Sequence, residues 1–123
     1  MKLRIKGNSL RLRLTRGDVA ELKEGGQVFE TVTFGSGNNF IYKIESVDET
    51  DRISADFHAK ELVVSVPTAL VQGWAASDQV SLEANELQPT IVIEKDFACL
   101  EPRQGEDETD MFPNPGNAFC KSA

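Results

Sequence analysis

Apolar and charged residues alternate strictly in two short runs near the start of the chain. Residues 2–6 and 10–14 place Leu or Ile at every second position, with Lys or Arg between them. Because successive side chains of a β-strand point to opposite faces, this alternation predicts two strands, each with one apolar and one charged face. The apolar positions change from odd to even numbers across Gly7-Asn8-Ser9, so we expect a turn there.

A short helix and two more strands are predicted to follow. Thr15 is suited to cap the helix, with Asp18 as its partner at the third helical position, and Gly25-Gly26 is suited to end it. The polar, glycine-rich residues 35–39 predict a turn between two further strands, over residues 27–34 and 40–47.

This order of elements occurs twice. Residues 3–28 match residues 55–80, fifty-two positions further along, in an alignment that places Leu12 with Val64, Leu22 with Trp74 and Val28 with Val80. The second copy is predicted to have a helix over residues 68–74 and strands over residues 53–58, 62–66, 79–84 and 90–97.

The predicted fold is therefore mainly β, of the α+β class. We expect two short helices and an internal pseudo-twofold β-β-α-β-β duplication. The two repeats, at about residues 2–47 and 53–97, would form a single domain over residues 1–100.

The apolar periodicity ends near residue 100. Residues 101–123 form an acidic tail rich in Pro, Gly and Asn, which cannot bury enough apolar area by itself to offset chain entropy. A run of acids followed by two apolar residues is expected to contact a protein partner: Glu106, Asp107, Glu108, Asp110, Met111 and Phe112. A tail that only improves solubility is the alternative, and its apolar residues could also pin it to the core.

The charge of the chain is unevenly divided. The net charge is −7, yet residues 1–16 hold six cations and no acid, while the rest of the chain holds seven cations and twenty acids. Five of the cations would share one face of the first two strands, where they could contact nucleic-acid phosphates: Lys2, Arg4, Lys6, Arg11 and Arg13. The alternative, which we favour, is a set of cross-strand ion pairs with acids such as Asp56, Glu83 and Glu94.

No stretch of the chain approaches the roughly eighteen consecutive apolar residues that a membrane span needs. We expect a cytoplasmic protein without membrane contact.

Cys99 and Cys120 are expected to be reduced thiols, with a bridge or a shared metal ion as the alternative. Because zinc takes about four ligands and His58 is the single histidine, we expect no metal and no cofactor.

The chain also resembles a known family. Residues 63–83, VVSVPTALVQGWAASDQVSLE, are similar to the strand-Pro-helix-strand signature of the AbrB/MazE swapped-hairpin family of small bacterial regulators. Lys6-Gly7-Asn8-Ser9 followed by Arg13 resembles the antitoxin branch of that family. There, two chains interlace their hairpins into a barrel, so the resemblance implies that this one chain forms a whole small β-barrel with two short helices. The start KLRIKGNS and residues 93–100, IEKDFACL, also resemble a group of short uncharacterised bacterial proteins.

The antitoxin resemblance implies DNA binding through the first arm, at Arg4 and Arg13, with Lys2, Lys6 and Arg11 as neighbours. Opposite Arg4, Arg13 and Lys6, the second copy has Asp56, Ser65 and His58. DNA-binding dimers present both halves to a palindromic site, and only one half keeps its cations here.

Three classes of function follow. The first is a non-enzymatic binding or regulatory protein of unknown partner, acting as a monomer or homodimer. A DNA-binding transcriptional regulator is the alternative, and a small enzyme is the third class. The chain has no GxSxG, HExxH or dinucleotide-binding motif. We expect His58 at a strand end and Glu94 and Asp96 facing solvent, so an enzyme is the class we favour least.

Overall fold

The computed structural model describes residues 1–97 and Phe112. Eight strands and two helices follow one another: β1 (Lys2–Lys6), β2 (Ser9–Leu14), α1 (Arg16–Gly25), β3 (Gln27–Thr33), β4 (Asn39–Val47), β5 (Ser54–His58), β6 (Glu61–Pro67), α2 (Thr68–Ala75), β7 (Ser81–Ala84) and β8 (Thr90–Lys95). The predicted α+β class and the predicted order of elements are confirmed, with ends that differ by one or two residues.

The strands form two four-stranded sheets. The first sheet has the order β1-β2-β8-β7, and the second has the order β3-β4-β6-β5. The outer pairs are antiparallel hairpins, whereas the central pairs, β2 with β8 and β4 with β6, are parallel. Each sheet therefore combines one hairpin from each half of the chain.

The predicted closed barrel is wrong for the part of the chain that the structure describes. Both sheets end in edge strands, β1 and β7 in the first sheet and β3 and β5 in the second. Residue alternation predicts which face of a strand is buried, but closure depends on strand number, tilt and stagger, which alternation does not contain.

The two halves occupy equivalent places. Exchanging the first four strands with the last four converts the order of the first sheet into that of the second. Leu12 on β2 pairs with Ile93, and Val64 on β6 pairs with Ile44. All four side chains are fully buried, so the aligned residues Leu12 and Val64 have the same role.

The predicted alignment of Val28 with Val80 is wrong. Val28 is buried and pairs with Ile44, whereas Val80 is exposed and precedes β7. Leu82, which pairs with Ile93, takes the place equivalent to Val28. One residue separates α1 from β3, whereas five separate α2 from the equivalent strand β7, so the 52-residue offset of the alignment ends there.

One hydrophobic cluster joins both sheets and both helices. Buried residues of the two central strand pairs contribute to it together with Leu22 of α1 and Trp74 of α2. The expectation that Trp74 belongs to the core is confirmed, and its indole nitrogen donates a hydrogen bond to the Val80 carbonyl oxygen at 3.1 Å.

The helices begin differently. The predicted cap of α1 is present: Thr15 Oγ1 accepts from the Asp18 amide at 3.3 Å, and Asp18 Oδ2 accepts from the Thr15 amide at 3.0 Å. Pro67 precedes α2 and supplies no side-chain cap, so α2 depends on burial of Val71 and Trp74.

The first residue ties β1 to the other elements. The Met1 amino group lies 2.8 Å from Asp18 Oδ2 and 2.9 Å from Glu30 Oε2. The Tyr42 hydroxyl donates to the Met1 carbonyl oxygen at 3.2 Å. Charge pairing and hydrogen bonding therefore fix the start of β1 against α1, β3 and β4.

Candidate functional site

The five predicted cations lie on one face of the first sheet, which we call the basic face: Lys2, Arg4, Lys6, Arg11 and Arg13. Lys2 is opposite Arg13, Arg4 is opposite Arg11, and the other face of the same hairpin carries the apolar side chains. The sequence therefore predicted their common face correctly, because alternation and a two-residue turn determine it.

Glu94 on β8 neutralises part of the basic face. Its Oε2 lies 2.9 Å from Arg11 Nη1, and its Oε1 lies 2.6 Å from Arg13 Nε. The Glu94 side chain is only 15% exposed, so these charge-assisted hydrogen bonds are partly shielded from water. The favoured interpretation, cross-strand ion pairing, is confirmed for Arg11 and Arg13, with Glu94 as the acid.

Asp96 neutralises the other end of the face. Its Oδ2 lies 3.4 Å from Lys2 Nζ. The expectation that Asp96 faces solvent is wrong, because this residue is 7% exposed and its Oδ2 is buried without a hydrogen-bond partner among the described residues. Lys2 is thus a countercharge to a buried carboxylate.

Arg4 and Lys6 differ from the other three cations. Both are exposed on β1, and neither forms an ion pair with any residue in the described part of the chain. Among the same residues, the other two acids suggested from the sequence, Asp56 and Glu83, form no ion pair with the basic face. Its uncompensated charge is therefore concentrated at Arg4 and Lys6.

A buried lysine lies on the opposite side of β8, at the centre of what we call the Lys95 cluster: Lys95, Trp74, Ser77 and Phe112. Lys95 is 7% exposed, and its Nζ donates to the Ser77 carbonyl oxygen at 2.7 Å. The same ammonium lies 5.6 Å from the Trp74 ring centroid and 5.4 Å from that of Phe112. Desolvation lowers the pKa of Lys95, and the nearby charge of Asp78 opposes that effect.

The Lys95 cluster was not predicted from the sequence. Alternation along β8 gives the signal, because Ile91, Ile93 and Lys95 share the inward face. A lysine at the end of a strand is ordinarily exposed, and only the tertiary structure shows that α2 covers this one.

Phe112 is the single tail residue that the structure describes. Its amide donates to the Asp96 carbonyl oxygen at 2.9 Å, and its ring meets Phe97 edge-on at 5.8 Å. Phe112 is half-buried against the core, so the suggestion that a tail residue pins the tail there is confirmed for it. The other predicted partner contacts, Glu106, Asp107, Glu108, Asp110 and Met111, lie outside the described residues, as do Cys99 and Cys120.

Aromatic rings line the core-facing side of the second sheet and continue beyond the core. We call Tyr42, Phe40 and Phe57 the aromatic strip, since the Phe40 centroid lies 6.0 Å from that of Tyr42 and 6.2 Å from that of Phe57. Phe57 on edge strand β5 is 64% exposed, and Ile5, its equivalent on edge strand β1, is 61% exposed. The repeat alignment paired these two residues but gave no sign that both are uncovered.

His58 ends β5, as predicted, and is exposed.

A shallow, open groove of about 580 Å³ lies on the other side of the second sheet, between α1 and β3, and is lined in part by Glu21, Glu24 and Phe29. Among the described residues, no three His, Cys, Asp or Glu side chains come together in a way that could hold a metal ion. No helix in that part of the chain has the length and apolar character needed to cross a membrane.

Residues 1–116 match the sequence profile of a family of unknown function, DUF7009. The chain belongs to this family. The match covers both halves of the DUF7009 fold, the basic face, the aromatic strip and Phe112. No curated protein and no solved structure matches the chain.

Proposed function

We propose that this DUF7009 protein is a non-enzymatic binding protein of the cytoplasm that holds a protein partner against its aromatic strip. The observation that supports this most is the exposure of Phe57, whose ring continues a row of aromatic side chains out of the core. Aromatic residues are enriched at protein interfaces, and exposed apolar groups that adjoin one another mark interaction sites.

The charged groups near the sheets support binding rather than catalysis. The two acids considered above as possible catalytic groups form ion pairs: Glu94 pairs with two arginines, and Asp96 pairs with Lys2. Lys95 is buried under aromatic rings and donates to a backbone oxygen. These groups stabilise the structure through interactions that a substrate would have to displace.

The interleaved halves support descent from a swapped-hairpin ancestor. In the AbrB/MazE family, which the sequence resembles, hairpins from two chains combine, and here each sheet combines hairpins from two halves of one chain. We propose that duplication and fusion of such a unit produced this arrangement.

The aromatic strip is tested by comparing Phe57→Ser with Leu70→Ser, a matched change of an exposed apolar residue on α2. The protein is purified from cells with its bound proteins, and each candidate partner is then purified and its Kd measured. Because aromatic side chains at interface centres contribute about 2 kcal/mol or more, Phe57→Ser should weaken binding by roughly thirtyfold. Leu70→Ser should bind as the parent does, and an unchanged Kd for Phe57→Ser contradicts the proposal.

The acidic tail is a second binding segment within the same proposal. Removing residues 101–123 would also remove Phe112 from the Lys95 cluster, so a truncation confuses stability with binding. Neutralising Glu106, Asp107, Glu108 and Asp110 to amides keeps Phe112 in place. If the tail contributes, this variant should lose affinity for the purified partner, with a weaker salt dependence than the parent.

Binding of a polyanion such as DNA is the second candidate function, and the uncompensated charge of Arg4 and Lys6 favours it. Arg4→Gln/Lys6→Gln should lower retention on heparin and reduce the slope of log K against log salt by roughly 0.9 for each phosphate that is no longer neutralised. Glu94→Gln should raise retention, because it releases Arg11 and Arg13. Lys23→Gln/Lys43→Gln removes two cations elsewhere and should change little, and absence of retention by the parent at low salt ends this hypothesis.

A further inference from the structure

We propose that two copies of the chain associate by pairing edge strand β1 of one copy with edge strand β5 of the other. This inference rests on the proposed function, because it identifies the partner of the aromatic strip as a second copy of the same protein.

The two strands are available for pairing. Among residues 1–97 and Phe112, β1 and β5 each pair with a neighbour on one side only, β2 and β6 respectively. The backbone groups on the other side of an edge strand are a template for another strand. Each of these two strands has five residues, so the two edges match in length.

The core-facing sides of the two edges each leave one apolar side chain uncovered. Ile5 is opposite Leu10 in its own hairpin, and Phe57 is opposite Leu62 in the other. An antiparallel arrangement that sets Ile5 against Phe57 makes them cross-strand neighbours, at the roughly 5 Å between β-carbons that lets such pairs interact. It also covers the exposed end of the aromatic strip.

The outward sides of the edges have opposite charge in that register. Lys6 lies opposite Asp56, and Arg4 lies opposite His58 and diagonal to Asp56. Pairing β1 with the β1 of a second copy would instead bring cations against cations. Charge therefore favours pairing of β1 with β5 over pairing of β1 with β1. This difference arises because Asp56 in the second half is acidic, whereas the residue aligned with it in the first half, Arg4, is basic.

The backbone beside β5 is held in a costly conformation. Ala59 and Lys60 have φ of 51° and 65°, a left-handed region that costs non-glycine residues roughly 1–2 kcal/mol each. The Lys60 carbonyl accepts from the Ile41 amide at 3.1 Å, and Lys60 Nζ donates to Asn38 Oδ1 at 2.6 Å. Positive φ at both central residues is the geometry of a two-residue hairpin turn. The two bonds of Lys60 attach this turn to β4 and to the turn before β4, and thereby fix the position of the end of β5.

Charge reversal tests the pairing with the full chain. Lys6→Asp and Asp56→Lys each place like charges across the proposed contact, so each variant alone should self-associate at least tenfold more weakly than the parent in sedimentation or light scattering. An equimolar mixture should associate again, because each introduced charge then meets its opposite. The Lys6→Asp/Asp56→Lys double variant should also recover, and circular dichroism checks that each protein is folded.

Phe57→Ser gives an independent test, since it should weaken self-association while Leu70→Ser does not. A parent that stays monomeric at high concentration overturns the inference, as does a mixture that fails to recover. If the parent is monomeric but Phe57 is required to bind a different purified protein, the inference fails and the proposed function stands. If Phe57→Ser alters neither kind of binding, both fail.

Discussion

Among single residues, Lys95 is a charged side chain at a position where strand alternation places the core. It occupies the inward face of β8, where Ile91 and Ile93 are buried, yet it carries an amino group. The buried charge is offset by the Ser77 carbonyl and by two aromatic rings, one of them Phe112.

Lys95→Met is expected to change how stability depends on pH. The pKa of Lys95 is lower in the folded protein than in the unfolded chain, where it is about 10.4. At pH values between these two pKa values, the unfolded chain therefore binds more protons than the folded protein. The free energy of unfolding of the parent should therefore rise with pH across this window, relative to Lys95→Met. Urea unfolding at a series of pH values, followed by circular dichroism, measures the difference.

Lys23→Met, at an exposed position on α1, is the matched control and should follow the parent curve. Parallel curves for the parent and Lys95→Met would show that burial does not perturb Lys95.

Part of the candidate site could be predicted from the sequence. Alternation placed the five cations on one face, and charge sign suggested acidic partners, of which Glu94 is present. Neither alternation nor charge could predict that Asp96 is buried or that Phe57 is exposed, because both depend on which distant elements cover the end of a strand.

At the scale of elements, two-residue turns join the first two strands of each half, with different residues in the left-handed region. Gly7 has φ of 56° in the first half, while Ala59 and Lys60 have positive φ in the second. Strand alternation predicted the turn after β1, and the gap between the predicted strands 53–58 and 62–66 marks the second turn. The backbone angles could not be predicted from Ala59-Lys60, which lacks the Asn and Gly typical of such turns.

Ala59→Asn/Lys60→Gly is expected to stabilise the protein by about 1 kcal/mol, because Asn and Gly adopt left-handed angles at lower cost. Gly7→Ala in the equivalent turn should destabilise it by about 1 kcal/mol, although space is available for the methyl group. Chemical denaturation measures both changes. A loss of stability in the Asn-Gly variant would contradict the strain assigned to this turn.

At the scale of the whole molecule, the parallel pairs β2 with β8 and β4 with β6 make the two halves one structural unit. Local patterns predicted the elements and even the inward residues, but neither pair joins strands adjacent in sequence. The barrel was expected because the resemblance implied it, whereas the structure has two sheets with edges.

Leu12→Ala is expected to destabilise both halves equally. Burial of Leu12 is complete, so truncation should cost about 2–5 kcal/mol. The single tryptophan, Trp74, reports on the second half, and hydrogen exchange of β4 amides reports on the first. Both should give the same loss of unfolding free energy, and a Trp74 transition that does not shift would show that the halves unfold separately.

The strand order also sets a sequence of events on the ribosome. Every strand of the second sheet has been synthesised once the chain reaches residue 67, whereas the first sheet must wait for β8, which ends at residue 95. Translation proceeds at roughly 5–20 residues per second, so β1 and β2 emerge first and remain without their central partner for several seconds. During that interval we expect the cations of the hairpin to limit association of its unpaired strands with other chains. The first sheet, although its hairpin is made earlier, is thus completed after the second.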